Sequence, residues 1–142
     1  MELFERFYPD AMTRSPEWVL IWLQVLLGVL SISVLFALFR HEARAILFGT
    51  LMGMGMVIVI YSQFGFTRIL GVGHILFWTP TLFYMVSLQG TAAVAKTWFG
   101  RWLWLAIVVM GASLILDYSD LMRYLLGERE VIVLPEVSLA AD

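Results

Sequence analysis

Residues 18–39, WVLIWLQVLLGVLSISVLFALF, decide the fold: twenty-two consecutive residues carry no formal charge. A helix rises about 1.5 Å per residue, so about 20 apolar residues cross a hydrocarbon core roughly 30 Å thick. Ser15 at the cap position, Pro16 and Glu17 mark the start of this span, and the polar run Arg40, His41, Glu42 ends it. Three more segments of the same kind follow, at about residues 45–64, 69–88 and 101–121. The third carries His74 and Pro80, and the fourth is apolar from Trp102 to Leu116, where Asp117 interrupts it. Long apolar runs rather than ten-residue alternation favour helices over barrel strands.

The expected fold class is therefore an all-α integral membrane protein, a four-transmembrane-helix bundle in one membrane domain over residues 1–142, with the third helix kinked at Pro80. Proline there cannot donate to the carbonyl of Leu76, and the hydroxyls of Thr79 and Thr81 are placed to compensate. The first span is expected to stay in the mature chain, because Glu2, Glu5 and Asp10 precede it and its apolar run is too long for a signal sequence. Residues 1–16 read either as a short surface turn, with Leu3, Phe4 and Phe7 on the bilayer interface, or as a frayed end. Residues 127–142 read as a tail containing the short apolar run Val131 to Leu134, closed by Pro135.

Of 142 residues, 61% are hydrophobic and 14% charged, against roughly 45–50% and 25% in soluble domains. Four crossings consume most of the chain, which excludes a soluble enzyme. A net charge of −2 without a basic block excludes nucleic acid as a partner. The absence of cysteine removes thiolate chemistry, iron–sulfur clusters and cysteine zinc sites. No metal site and no cofactor is expected. Met52, Met54 and Met56 point to different faces of a helix, and His41 and His74 belong to opposite ends of the bundle.

An even number of spans puts both termini on one side. Five basic residues (Arg6, Arg14, Arg68, Arg123, Arg129) fall on that side and four (Arg40, Arg44, Lys96, Arg101) in the two shorter opposite loops, while ten of the eleven acidic residues lie on the terminal side. This distribution leans the termini outward across a bacterial inner membrane. Trp18 and Trp22 at one face, and Trp98, Trp102 and Trp104 at the other, read as interfacial anchors.

The polar residues inside the spans gather in the terminal leaflet. Counting along each helix places Gln24, His74 and Asp117 within about 10 Å of the same membrane surface, with Tyr61 and Gln63 close by. This cluster is the candidate ligand or ion site. Periodicity groups Gln24, Gly28 and Ser31 on one face of the first span and Gly49, Gly53, Met56, Ile60 and Gln63 on one face of the second. In the third span His74, Trp78, Thr81 and Met85 align, and in the fourth Ala106, Met110, Ser113 and Asp117. Small residues allow close helix approach, so Gly28, Gly49, Gly53 and Gly111 are the expected packing positions.

Three function classes follow. The leading one is a non-catalytic accessory or structural subunit working through helix contacts, in a homo-oligomer or larger membrane complex. The second is a small oligomeric transporter or channel moving protons or cations past His74 and Asp117. The third is a lipid- or quinone-facing enzyme using the same pair as acid and base, although no nucleophile accompanies them.

Overall fold

The computed structural model describes residues 2–130. Their helices are α1 (Glu2–Arg14), α2 (Glu17–Ala37), α3 (His41–Phe64), α4 (Gly71–Gln89), the single turn α5 (Ala92–Ala95) and α6 (Trp98–Leu125), with a 3-10 turn at Arg68–Leu70 before α4. Four of these helices are long and apolar enough to cross a membrane, and no strand occurs among the described residues. The chain is an all-α integral membrane bundle. The expected run Val131 to Leu134 and Pro135 lies outside the described residues.

Several boundaries differ from the sequence reading: the first spanning helix is capped at Pro16 without a side-chain bond from Ser15 and ends at Ala37, and the second begins at His41, inside the polar run. The fourth spanning helix extends at both ends, to Trp98 and Leu125, and its start is capped by Thr97, whose hydroxyl accepts from the Gly100 N–H at 3.0 Å. The N-terminal segment forms neither a short turn nor a frayed end but a helix of thirteen residues with Pro9 inside it. It docks on α3: Phe7 meets the Tyr61 ring edge-on at 5.1 Å, and the Tyr61 hydroxyl donates to Asp10 at 2.5 Å.

α3, α4 and α6 form the centre of the bundle, and α2 packs on α3 and α6. Trp78, Ile46, Met85, Leu103 and Met110 are the largest fully enclosed apolar side chains. Bilayer lipid is as apolar as leucine, so such helices hold together through close packing and hydrogen bonds rather than through expulsion of water. The close approach is visible between α3 and α4, where a Cβ added to Gly73 would lie 2.7 Å from the Val57 backbone nitrogen. Only a residue without a side chain lets the two backbones meet there.

α2 turns a different face inward from the one expected. Leu26, Leu30 and Ser33 are buried, whereas Gln24, Gly28 and Ser31 are exposed. Trp22 explains the rotation, because its indole N–H donates to Ser113 of α6 at 2.8 Å and draws the Trp22–Leu26 side into the bundle. Trp102 likewise donates across the bundle, to the Val29 carbonyl at 2.8 Å, and is 7% exposed. These two tryptophans are cross-helix ties rather than interfacial anchors; Trp18, Trp98 and Trp104 remain exposed.

α4 runs through Pro80 as one helix. The Thr81 hydroxyl donates to the Phe77 carbonyl at 2.8 Å, and Thr79 pairs instead with the Tyr118 hydroxyl of α6 at 3.2 Å. The end of the bundle that carries Arg40 and Lys96 is closed by rings. Phe36, Phe99 and Trp102 lie mutually within 5.1–5.5 Å, and the Arg40 guanidinium sits 4.6 Å over the Phe99 ring.

Candidate functional site

At the opposite end, the start of α2, the turn at Arg68–Leu70, the first turn of α4 and the last third of α6 surround a cavity of about 570 Å³, with α1 along one side. His74 and Asp117 both line it. His74 Nδ1 and Asp117 Oδ2 stand 3.3 Å apart, at ion-pair distance but off hydrogen-bond alignment, and the two side chains are 17% and 18% exposed. Trp78, one turn further along α4, shares the His74 face and stacks on its ring at 4.2 Å and 22°. The pair is thus clamped between α6 and an aromatic plane, and three polar atoms here, His74 Nε2, Trp78 Nε1 and Asp117 Oδ2, are buried without a hydrogen-bond partner.

The other three members of the expected cluster lie elsewhere. Gln24 is on the outer face of α2, for the reason given by Trp22. Tyr61 is buried but spends its hydroxyl on Asp10 of α1, fifty-one residues away. Gln63 is exposed and reaches only Ser62, at 3.4 Å. The buried face of α3 repeats every four residues, through Gly49, Gly53, Val57 and Tyr61, and so leaves Met56, Ile60 and Gln63 to the side.

The four packing glycines divide in the same way. A Cβ at Gly53 would lie 2.9 Å from Trp78 Nε1, and one at Gly49 would run into the Thr81 side chain, so both sit at the α3–α4 contact. Gly111 faces Leu82 at the ordinary distance of 3.9 Å, and Gly28 has nothing within 4 Å. Gly71 matters more to the site than any of these: a Cβ there would lie 2.9 Å from Asp117 Oδ1.

Charge at the mouth of the cavity is mostly paired internally. Arg68 bridges Asp120 at 2.9 Å and Glu128 at 3.0 Å, tying the turn before α4 to the end of α6. Arg14 bridges Asp10 at 3.2 Å. The hydrogen bond from Tyr61, with help from Arg14, holds the Asp10 carboxyl below its ordinary value. Asp10, Thr67, Arg68 and Ser113 all border or brace the site without having been singled out for it in the sequence. Only Ser113 left a signal, standing four residues before Asp117 on the α6 stripe; Asp10 could not be matched with Tyr61 across so long a separation.

Chemically, the arrangement offers a carboxylate, an imidazole and a serine hydroxyl at the floor of a partly apolar pocket, which can orient and hydrogen-bond a small molecule. No protein-family model, curated protein or solved structure matches the chain.

Proposed function

We propose that this chain is a non-catalytic subunit of a membrane assembly, joined to its neighbours through the outward face of α2, in a bacterial inner membrane with the Arg40 and Lys96 loops inside. The carrying observation is the exposed stripe Gln24, Gly28 and Ser31. Gln24 lies about 10 Å along α2 from Glu17, at a depth where water is scarce, and its amide makes no hydrogen bond among the described residues. A partner helix lying over Gly28 would meet open space and bring a group for the amide to bond, a contribution of about 0.6–2 kcal/mol inside a bilayer.

Transport and catalysis have less support. Beyond His74 and Trp78 the interior of the bundle is filled mainly by Ile46, Met85, Leu103 and Met110, with the Ser33 hydroxyl bonded to its own helix, so among the described residues no succession of carboxylates or imidazoles leads towards the other surface.

The native chain has no cysteine, so single cysteines report directly. With Gln24→Cys or Ser31→Cys, oxidation in native membranes is expected to give a cross-linked species, whereas Phe83→Cys, exposed on α4, gives none. Gly28→Leu is expected to shift the particle in gentle detergent to the size of one chain without lowering its unfolding temperature. A parent protein that runs as a single chain at every concentration, both in detergent and in extracted native membranes, would overturn the reading.

A further inference from the structure

The cavity at the terminal end has features that subunit assembly does not use. Its volume of about 570 Å³ falls within the roughly 300–1,000 Å³ of small-molecule sites. Trp22, Leu23, Leu26, Val57 and Leu116 supply apolar wall, with Ser113 and Asp117 set among them. Those two stand one turn apart on α6, a spacing of about 5–6 Å between side chains.

Each is committed on one side and open on the other. Ser113 Oγ accepts from the Trp22 indole, and its own proton has no acceptor among the described residues. Asp117 turns Oδ2 towards His74 and packs closely on Gly71, while its Oδ1 makes no hydrogen bond among the described residues, on a side chain that lines the cavity. Thr67, 4% exposed and also on the cavity wall, has a buried hydroxyl without a partner. The site therefore presents a donor at Ser113 and an acceptor at Asp117, a turn apart.

Charge selects the head group. An anionic head would meet the Asp117 carboxylate, and Arg68 is already held by Asp120 and Glu128. A cationic head would have to pass Arg123, the rim guanidinium that no carboxylate neutralises among the described residues. A neutral head with one hydroxyl to donate and a second oxygen to accept meets neither penalty.

We infer that this cavity binds a neutral amphiphile whose head carries one hydroxyl to donate and an opposite oxygen to accept at the one-turn spacing of Asp117 and Ser113, as a quinol head does. One ring hydroxyl donates to Asp117, the opposite ring oxygen accepts from Ser113, and the apolar tail runs along Leu23 and Leu26. The inference is independent of the subunit reading, since Gln24 and Gly28 occupy the other face of α2.

The test is equilibrium binding of radiolabelled decylubiquinol, kept reduced under anaerobic conditions, to the full chain in phosphatidylcholine nanodiscs. One saturable site per chain is expected. Decylubiquinone, which has no hydroxyl to donate, competes at least several-fold more weakly, and oleate and dodecyltrimethylammonium do not compete. Asp117→Asn keeps the shape but loses the charge-assisted acceptor, and weakens binding by about tenfold or more. Leu23→Trp fills the cavity and removes saturable binding; should it fail to fold, judged by its unfolding temperature, Asp117→Asn decides alone. Partitioning without saturation, equal competition by oleate or the ammonium amphiphile, or decylubiquinol binding unchanged in Asp117→Asn would each overturn the inference.

Discussion

The two ends of this bundle are built from the same kinds of residue to opposite effect. At the Arg40 end, Phe36, Phe99 and Trp102 fill the space between helices, and one arginine lies flat over a ring. At the terminal end, Trp22 and Leu26 line a cavity that also holds His74 and Asp117. The difference arises in what each tryptophan bonds to. Trp102 donates to a backbone carbonyl of α2 and draws the two helices together, whereas Trp22 donates to the short side chain of Ser113 beside the cavity. Four spans thus produce a plugged end and a receiving end, the second opened by its cavity.

This contrast can be broken at several points. The largest effect is expected at Leu103, which is fully enclosed. Leu103→Ala should cost about 2–4 kcal/mol through the void it leaves, towards the lower part of the range for soluble cores because lipid replaces water as the reference. Leu23→Ala, in the cavity wall, should cost under about 1 kcal/mol. Thermal unfolding in detergent measures both, and equal losses would mean that the terminal end is packed as tightly as the other.

Next come the ties. Trp102→Phe is expected to lose about 1–2 kcal/mol, and Trp22→Phe about half that, since the Ser113 hydroxyl left behind faces a cavity rather than packed side chains. The same unfolding assay checks the ratio. Smaller again is the charge pairing that braces the receiving end. Arg68→Met should cost up to about 1 kcal/mol, because its partners are substantially exposed, and the loss should shrink in high salt.

The smallest effect concerns acid. The Asp10 carboxyl is held below its ordinary 3.8 by the hydrogen bond from Tyr61 and by Arg14. A depressed carboxylate stabilises the docked state above its unfolded value, and that stabilisation is lost as pH falls through the lowered one. α1 should therefore stay docked at neutral pH and loosen only in acid below about pH 3.8. Spin labels at Tyr8→Cys and Phe64→Cys follow the distance, and Asp10→Asn should remove the pH dependence.

Much of this architecture is legible in the residues. Uncharged runs announce the four spans, and counting turns puts His74 and Asp117 at one depth. The stripe Ala106, Met110, Ser113 is inside the bundle, as are Trp78 and Met85 on α4. Rotation about each helix axis is harder to read. In a soluble helix the apolar side marks the core, but α2 is apolar all round, and its small and polar residues Gln24, Gly28 and Ser31 looked like a contact face within the chain while lying outside it. A second gap is α1, whose short amphipathic run becomes a docked helix only because Tyr61 and Phe66 are there to receive it.

The amino-acid sequence by itself determines that the chain crosses a membrane four times and that its intramembrane polar groups lie near one surface. Both follow from the cost of charge in hydrocarbon and from the rise of a helix, which are properties of each segment alone. Tertiary structure decides which of those groups meet. His74 reaches Asp117 because Gly71 and Gly73 let α4 lie close against its neighbours, Tyr61 goes to Asp10, and Gln24 faces outward because Trp22 holds α2 to Ser113. Those outcomes depend on the shapes of two surfaces at once, and no single segment contains them.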